Sequence, residues 1–297
     1  MIQIINFDGW VDNQYKHNET LLSGKSRKEY LKDSISGKSG IFKYPKTLKT
    51  TEHVSERLAY DIARIIGVRC AITDIGTFRE EMGSLSYLIA EHLENGTSSI
   101  TKKYSSYDKE KHFDSNTKEY YSIHMIENSL NEFDNCVELL DSFYKMLLFD
   151  FLIGNSDRHS DNWGLVSNGS NFTFSPLFDN GSALCSYVKN ADIESYFKDS
   201  QRYKSLVDTK SISKIRIGRF DKKRPKHSEV INHLKCINLL PLVTIEKIND
   251  TLNENQIEYI LNEYPSFIIM DEKKELIKKY LLSKIDILNS ILKGGWV

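Results

Sequence analysis

The pattern of apolar and polar positions changes character about a third of the way along the chain. Before that point, short runs rich in apolar and β-branched side chains predict strands at residues 2–5, 40–44, 68–78 and 84–93. After it, apolar residues recur mainly at helical spacing. The change predicts a β-rich first lobe followed by a mainly helical second lobe.

One helix interrupts the predicted strands of the first lobe. Val54, Leu58, Ile62 and Ile65 recur at intervals of three and four residues, which places them on one face of a helix. Gly67 follows the last of them, where glycine commonly ends a helix. The spacing therefore predicts an amphipathic helix that packs its apolar face against the lobe.

Residues 94–121 are polar, poorly periodic and rich in serine, threonine and lysine. A long stretch of this kind predicts an insertion or mobile loop, with its tyrosines at the surface. We place the boundary between the lobes at its start, with an N-lobe over residues 1–93 and a C-lobe over residues 94–297.

The C-lobe contains two clear helical patterns. Residues 136–153 are apolar around most of the helical circumference by the end of the run, which predicts a helix buried at the centre of the lobe. A second helix near the end of the chain carries one apolar stripe against lysine- and glutamate-rich faces. The stripe consists of Ile277, Leu281, Ile285, Leu288 and Leu292.

Composition narrows the class of protein. The 297 residues are 40% hydrophobic and 27% charged, with only 5 prolines, which excludes collagen-like and broadly disordered chains. Lys and Arg number 40 against 41 Asp and Glu, so the net charge of −1 provides no overall attraction to nucleic acid or acidic membranes. The four scattered cysteines form no C-x-x-C pair, and no leader or membrane-spanning run is evident. We therefore predict a cytoplasmic protein without a direct membrane or nucleic-acid partner.

The residues that suggest chemistry lie in two loops of the C-lobe. Asp157 and Asn162 stand five residues apart in the polar loop that follows the buried helix, before a predicted strand at residues 163–166. Asp179 ends a second short apolar run, directly before an Asn-Gly turn pair. A carboxylate can accept the proton of an attacking hydroxyl, whereas an amide oxygen and a second carboxylate suit Mg²⁺. Polar turn residues at strand ends are the alternative explanation.

These motifs resemble a particular bacterial family. The spacing D-x-x-x-x-N matches a kinase catalytic loop, but Asn155-Ser156 replaces the usual His-Arg and Asp179-Asn180-Gly181 replaces D-F-G. LIGNSDRHSDNWGLV followed by SPLFDNGSAL resembles the HipA-like serine/threonine kinases instead. Upstream, SGKSRK, the strand IFKYP, the helix that begins EHVSER and the segment SYLIAEHL occur in the family's order.

The resemblance implies an α+β, two-lobed protein-kinase-like fold and an ATP- and Mg²⁺-dependent kinase that phosphorylates serine or threonine in another protein. Members of the family include toxins that are paired with a small antitoxin and that act on translation factors, so both kinds of partner are expected. The few residues ahead of SGKSRK imply a short form without the additional N-terminal subdomain of full-length members.

The resemblance also assigns roles to residues. Asp157 is the expected catalytic base, and Asn162 and Asp179 are the expected magnesium ligands. Lys43 is expected to hold the nucleotide phosphates with Glu56 as its ion-pair partner, and Glu52 is the second choice for that partner. The remaining expected nucleotide contacts are Ser23, Gly24, Lys25, Ser26, Arg27 and Lys28 in the phosphate-covering loop, Glu91, His92 and Leu93 in the hinge, and His159 and Phe178 beside the phosphates.

Other functions remain open on the sequence. A non-catalytic relative would bind nucleotide or act as a scaffold, and a metal-dependent phosphohydrolase would use Asp157, Asp161 and Asp179. The two GKS tripeptides are not Walker A motifs, because Glu19 and Lys32 stand where that motif requires its first glycine. The basic run at residues 214–227 is interpreted as a solvated loop.

Overall fold

A mixed sheet occupies the first part of the chain. The computed structural model describes residues 1–12, 27–47, 49–90, 93–169 and 171–295. The sheet consists of β1 (Ile5–Asn6), β2 (Val11–Asp12), β3 (Lys28–Lys32), β4 (Ser39–Lys43), β5 (Thr73–Phe78) and β6 (Glu81–Tyr87). Its strand order is β1-β5-β6-β4-β3-β2, and only β1 and β5 run parallel.

The predicted strands are confirmed in position, with changes at their ends. The prediction for residues 2–5 was wrong in extent, because only Ile5 and Asn6 pair with β5, while Ile2 and Ile4 pack as partly buried side chains against the core. Strand β3 was not predicted. Its sequence KEYLK has two charged residues at its start and a lysine at its end, so the buried pair Tyr30 and Leu31 produces little periodicity.

Helix α1 (Glu52–Ile66) lies between β4 and β5 in the chain and confirms the predicted helix. It ends at Gly67, whose φ of 72° is the left-handed conformation that glycine tolerates best. Its apolar side chains belong to the largest hydrophobic core of the molecule, which continues into the helices of the C-terminal part. A smaller core of Phe7, Leu31, Phe42, Tyr44, Phe78 and Leu85 fills the sheet.

The rest of the described chain is mainly helical. Its helices are α2 (Gly96–Thr101), α3 (Ile123–Leu130), α4 (Cys136–Ile153), α5 (Ile193–Lys198), α6 (Ser200–Lys204), α7 (His227–Cys236), α8 (Leu242–Thr251), α9 (Glu254–Asn262) and α10 (Asp271–Leu292), with a 3-10 turn at Asn190–Asp192 and a π-helical turn at Ser205–Thr209. Two small antiparallel sheets accompany them. One contains β7 (Leu93–Asn95), β11 (Gly164–Asn168) and β12 (Asn171–Phe174), and the other contains β8 (Tyr107–Asp108), β9 (Phe113–Asp114) and β10 (Glu119–Tyr120).

Helix α4 confirms the predicted central helix. Its side chains from Met146 to its end at Ile153 are all buried. The helix stops at Gly154, which has φ 70° and lies against Tyr280 of α10 so closely that a Cβ would come within 2.0 Å of the Tyr280 hydroxyl. Glycine is therefore needed at this position both for the backbone conformation and for space. The polar loop of the candidate site begins there.

The prediction that residues 94–121 form a loop with its tyrosines at the surface was wrong, and that they are an insertion stays a prediction. The segment contains α2, the short sheet β8-β9-β10 and three buried tyrosines, Tyr104, Tyr107 and Tyr121. Its polar residues are occupied by local contacts, such as Asp114, which accepts hydrogen bonds from both the backbone and the hydroxyl of Thr117. Hydrophobic periodicity misses such a structure because hydrogen bonds rather than an apolar face organise it. The predicted lobe boundary falls inside β7, which pairs with β11.

Helix α10 confirms the second helical pattern, although its buried face extends beyond the predicted stripe and includes Tyr280 and Lys284. Among the helices of the described ranges, none combines the length and the apolar character that crossing a bilayer requires.

Candidate active site

Arg158 holds the two predicted loops together. Its guanidinium is only 1% exposed and pairs with Asp150 of α4 at 2.8 Å. The same group donates to the backbone oxygen of Asn162 at 2.7 Å, to the side-chain oxygen of Asn180 at 2.7 Å and to the backbone oxygen of Phe178 at 2.5 Å. One buried cation thus connects the end of α4, the loop of Asp157 and the loop of Asp179. The predicted site did not include Arg158, although its position directly after Asp157 pointed to it.

The loop of Asp157 presents a carboxylate to solvent. The Asp157 side chain is 44% exposed, and its Oδ1 lies 3.5 Å from Lys214 Nζ. Asn162 Nδ2 donates to the Asp157 backbone oxygen at 2.8 Å, and the Asn162 side chain is nearly buried. Since the amide nitrogen is used in the loop, the amide oxygen of Asn162 is oriented by the fold and has its lone pairs for another partner.

Lys43 on β4 bridges two carboxylates. Its Nζ lies 2.8 Å from Glu56 Oε1 and 2.8 Å from Asp179 Oδ1. Glu56 is buried, and its second oxygen accepts the backbone N–H of Asn180 at 2.9 Å. Of the two candidate partners on α1, Glu56 therefore makes the ion pair. Glu52 is buried nearby, and its carboxylate oxygens have no hydrogen-bond partner within the described residues.

The charges of this triad shift the pKa values of its members. Burial opposes the ionisation of Asp179, but the charge and hydrogen bond of Lys43 outweigh it and hold the pKa of Asp179 well below its usual range. Burial also opposes the charged form of Lys43, yet Asp179 and Glu56 raise the pKa of Lys43 above its ordinary value. Both groups are therefore charged at every pH at which the protein would be assayed.

The segment after Asp179 is fastened to the N-terminal end of α1. Ser55 Oγ donates to the backbone oxygens of Asn180 at 3.2 Å and Ala183 at 2.8 Å, and the N–H of Thr51 donates to Ser186 at 3.1 Å. Asp179 itself has φ 57°, an uncommon conformation for a residue with a side chain. These contacts place α1, with Glu56, directly against the Asp179 loop.

Comparison with protein families identifies this arrangement. The family model described as HipA-like C-terminal domain matches residues 20–238, well over half of the chain. The chain belongs to this family. The predicted resemblance to the HipA-like family is confirmed.

A curated protein is similar to the chain in sequence, and two solved structures are similar to it in fold. Serine/threonine-protein kinase CtkA of Helicobacter pylori is 29% identical over 133 residues, which cover 44% of this chain and 40% of CtkA. The match thus spans less than half the length of that relative. The crystal structure of the proinflammatory kinase CtkA of Helicobacter pylori covers 97% of this chain and 98% of its own, with TM-score 0.80 and 18% identity. HipA of Shewanella oneidensis MR-1, solved with HipB and operator DNA, has TM-score 0.50 and 13% identity over 86% of this chain and 58% of its own.

The fold class predicted from the sequence is confirmed by these structural likenesses. This HipA-like chain has a small sheet-rich N-terminal part and a mainly helical C-terminal part, which agrees with its structural similarity to CtkA. At 18% and 13% identity, the two structures establish the fold and nothing further.

The other expected nucleotide contacts of this HipA-like chain do not all lie beside Lys43, Glu56 and Asp179. Lys28 lies near the triad, since it stands opposite Lys43 in the pairing of β3 with β4. Burial and the charge of Lys43 lower the pKa of Lys28, while Asp179 opposes the shift. His159 lies on the loop of Asp157, where its Nδ1 accepts the N–H of Asp161 at 3.2 Å. Arg27 instead binds Glu81 at 2.7 Å and lies over the ring of Tyr44.

Two further expected contacts lie on the C-terminal side. Phe178 directly precedes Asp179, and its backbone oxygen accepts a hydrogen bond from Arg158. Leu93 is the first residue of β7 and pairs with Val166 of β11. The remaining expected contacts, Ser23, Gly24, Lys25, Ser26, Glu91 and His92, lie outside the described residues.

Asp161 is occupied by contacts that hold the loop. Its Oδ1 accepts from Asn95 Nδ2 at 3.1 Å and from Thr97 Oγ1 at 2.7 Å, and its Oδ2 lies 3.1 Å from Lys109 Nζ. Across the residues that the structure describes, no three His, Cys, Asp or Glu side chains cluster as a metal site. The arrangement therefore disfavours a phosphohydrolase that would use Asp161 as a third metal-binding carboxylate.

The basic run at residues 214–227 differs from the solvated loop that was predicted. Arg224 donates to the backbone oxygen of Ser156 at 2.6 Å and to that of Ser213 at 2.8 Å. Lys214 lies beside Asp157, and the side chain of His227 is within 3.0 Å of the Asn155 backbone oxygen. The solvated-loop prediction therefore holds for residues 219–223, which are exposed, and was wrong for Arg224, whose side chain binds backbone oxygens.

Proposed function

We propose that this chain is an ATP- and Mg²⁺-dependent kinase that phosphorylates serine or threonine in a protein. The observation that carries the proposal is the bridge of Lys43 to Glu56 and Asp179 at 2.8 Å each, next to a loop that presents Asp157 and Asn162. Phosphoryl transfer from a nucleotide needs a fixed cation, metal-binding oxygens and a base, and these residues supply all three.

Asp157 is the proposed base. Its carboxylate is partly exposed and belongs to a loop that Arg158 and Asn162 hold from behind. A hydroxyl that approached from solvent could therefore reach the carboxylate without displacing a structural contact. Asp157 would accept the proton of that hydroxyl as its oxygen attacks phosphorus.

Asn162 and Asp179 are the proposed magnesium ligands, and their chemistry fits the ion. Asp179 remains ionised because Lys43 holds its pKa low, and Asn162 offers an amide oxygen whose position the loop determines. Hard oxygen donors of this kind are what Mg²⁺ prefers. When bound, the ion would neutralise charge on the phosphates.

Lys43 is the proposed contact of the α- and β-phosphates. Glu56 prevents its ammonium from turning into solvent, because the ion pair and the buried position of Glu56 fix the side chain. Lys28, which stands opposite Lys43 in the pairing of β3 with β4, adds positive charge near Asp179, and His159 on the loop of Asp157 is a further proposed nucleotide contact. We include Ser23, Gly24, Lys25, Ser26, Arg27, Glu91, His92, Leu93 and Phe178 in the proposed nucleotide site on the family resemblance.

The relatives suggest the wider context. CtkA is named a serine/threonine-protein kinase, and HipA was solved together with HipB and operator DNA. We infer from them a protein substrate, such as a translation factor, a small antitoxin partner and a place in the cytoplasm for this chain.

Labelled ATP tests the proposed function. The γ-³²P-labelled nucleotide is added with Mg²⁺ and purified protein to a bacterial cell lysate, and labelled proteins are identified. Asp157→Ala and Asp179→Ala should each lower protein labelling at least ~100-fold. Asp141→Ala, at an exposed carboxylate of α4 that pairs with Lys145, is the matched control and should label normally.

Three outcomes would oppose the proposal. Labelling that survives both active-site substitutions would remove the roles of Asp157 and Asp179. Nucleotide binding without transfer to any protein would support a scaffold. Release of phosphate from a phosphoester in the absence of ATP would support a phosphohydrolase.

A further inference from the structure

We propose that Lys46, Lys214, Arg216 and Arg224 form a cationic platform that binds an acidic segment of the protein substrate beside the accepting hydroxyl. The inference rests on the proposed function, because it assigns the substrate class of the same site. The four residues come from two parts of the chain, the turn after β4 and the basic run at residues 214–227.

The platform surrounds the proposed base. Lys214 Nζ lies 3.5 Å from Asp157 Oδ1, and Arg224 binds the backbone oxygen of the preceding Ser156. Arg224 and Lys46 also feel the charge of Asp157, which counters the lowering of the Arg224 pKa and adds, after Tyr187 and Glu52, to the raised pKa of Lys46. One carboxylate cannot neutralise both Lys214 and Arg224, so the surface next to Asp157 is positive.

The backbone under the platform is held in place. Ser213 N–H donates to Pro225 at 2.9 Å, which closes the base of the run. Arg216 N–H donates to Tyr121 at 3.1 Å, and Ile123 N–H donates to Arg216 at 2.8 Å. The Arg216 guanidinium lies 4.8 Å from the centre of the Tyr120 ring. Because these charges are already positioned, binding an anion to them costs little ordering of the protein.

The neighbouring carboxylates offset only part of the positive charge. Asp161 is paired with Lys109, whereas Asp221, which accepts the N–H of Gly218 at 2.7 Å, acts on Arg216, and Glu52 acts on Lys46. His112 lies among the same cations and shows their effect. Burial, together with the charges of Lys214, His159, Arg216 and Arg224, lowers the pKa of His112 to about 4.

An acidic peptide segment is the ligand that fits this surface best. The charges of Lys43 and Lys28 act on Asp179, so the nucleotide side has its own positive charges. The platform lies instead at Asp157, where the accepting hydroxyl has to approach. The net charge of −1 for the whole chain also argues against a general nucleic-acid surface.

Matched peptides test the platform. Three peptides carry one serine flanked on both sides by Asp and Glu, by Gln, or by Lys, and kcat and KM are measured for each. The acidic peptide should exceed the Gln peptide about tenfold in kcat/KM at low salt, as a few exposed ion pairs would allow. The preference should shrink when the ionic strength rises to about 0.5 M.

Variants of Arg216 assign the preference to the platform. Arg216→Gln should reduce it about threefold, through KM rather than kcat, and Arg216→Lys should retain most of it. Arg202→Gln is the matched control, because Arg202 on α6 also lies over a tyrosine, at 4.7 Å from the centre of the Tyr196 ring, and pairs with Asp192. It should leave the preference unchanged.

The outcomes separate the platform from the kinase activity. If neither protein, peptide nor the chain itself accepts phosphate from ATP, the proposed function fails and the platform fails with it. Three results would overturn the platform alone. The enzyme could use the Gln or Lys peptide as well as or better than the acidic one, or it could phosphorylate itself without using the acidic peptide. Arg216→Gln could also leave the preference for the acidic peptide intact. Binding of a labelled single-stranded RNA that depends on Arg216, without an acidic peptide preference, would assign the surface to nucleic acid instead.

Discussion

Lys43 shows how one side chain can serve structure and chemistry at once. It separates Glu56 and Asp179, two carboxylates that would repel each other without it. Its position on β4 could be predicted from the family order of motifs. The choice between Glu52 and Glu56 could not be made with the same certainty, because both are buried on α1 and hydropathy does not distinguish a paired carboxylate from an unpaired one.

Lys43→Met should abolish most phosphoryl transfer and raise the pKa of Asp179. It should also lower the free energy of unfolding by about 1–3 kcal/mol, since Glu56 would remain buried without its partner. The double substitution Lys43→Met with Glu56→Gln should recover part of the stability but none of the activity. Urea denaturation and γ-phosphate transfer measure the two effects. Lys145→Met, which breaks an exposed pair with Asp141, should cost less than about 1 kcal/mol.

Lys284 is a buried base behind the active site. Its Nζ lies 2.8 Å from Ser211 Oγ and 4.8 Å from the centre of the Phe151 ring. Burial lowers the pKa of Lys284 to about 7, although Asp208 and Cys185 oppose the shift. Above pH 7 the unfolded chain therefore holds a proton on this lysine that the folded chain has lost, and stability rises with pH up to the unfolded value of 10.5.

Comparison of wild type with Lys284→Met between pH 7 and pH 8.5 tests this reasoning. The free energy of unfolding of the wild type should rise more steeply than that of the variant, by at most about 1.4 kcal/mol per pH unit. Denaturant titrations at several pH values measure the difference. Parallel pH dependences for the two proteins would show that Lys284 does not titrate in this interval.

At the level of elements, the contact between α1 and the loop after Asp179 sets the geometry of the site. Ser55→Ala removes the hydroxyl that joins α1 to Asn180 and Ala183. We expect a loss of about 1 kcal/mol in the free energy of unfolding and a severalfold decrease in kcat, because Glu56 is carried on the same helix. Ser142→Ala is the control, since its hydroxyl bonds only to Glu138 on the exposed side of α4. An unchanged kcat in Ser55→Ala would separate this contact from catalysis.

The elements differ in how well the sequence predicted them. Helices α1, α4 and α10 have clear apolar periodicity and clear ends, so their positions followed directly. The short strands at residues 107–120 did not follow, because side-chain hydrogen bonds and buried tyrosines hold them rather than an alternating apolar face. The prediction of a solvated loop for the basic run at residues 214–227 was wrong at Arg224 for a related reason. Its partners are backbone oxygens that are distant in sequence.

At the scale of the whole molecule, α1 belongs to both parts of the fold. It contacts β5 and β6 of the sheet and also α8 of the helical part, and its apolar residues lie in the core that the C-terminal helices share. Among the residues that the structure describes, the core that belongs to the sheet alone has six buried residues. The sheet therefore lacks a large core of its own, and the two parts should depend on each other for stability.

Unfolding should accordingly occur in a single transition. Far-ultraviolet circular dichroism, which follows mainly the helices, and near-ultraviolet circular dichroism should give the same midpoint in urea, and calorimetry should agree with both. An earlier transition that affects only the aromatic signal of the sheet, where Trp10 contacts Phe7, would show that the sheet unfolds on its own.

Asp157 is the proposed base of a protein kinase, and the isosteric substitution Asp157→Asn isolates that role because an amide cannot accept the proton. The fate of the γ-phosphate of labelled ATP is followed in purified wild type and variant with a protein or peptide acceptor, while nucleotide affinity and the unfolding midpoint are measured in parallel. We predict acid-stable label on serine or threonine in the wild type and a decrease of at least ~100-fold in the variant, with nucleotide affinity and stability nearly unchanged. Equal labelling by wild type and Asp157→Asn would show that Asp157 is not the base.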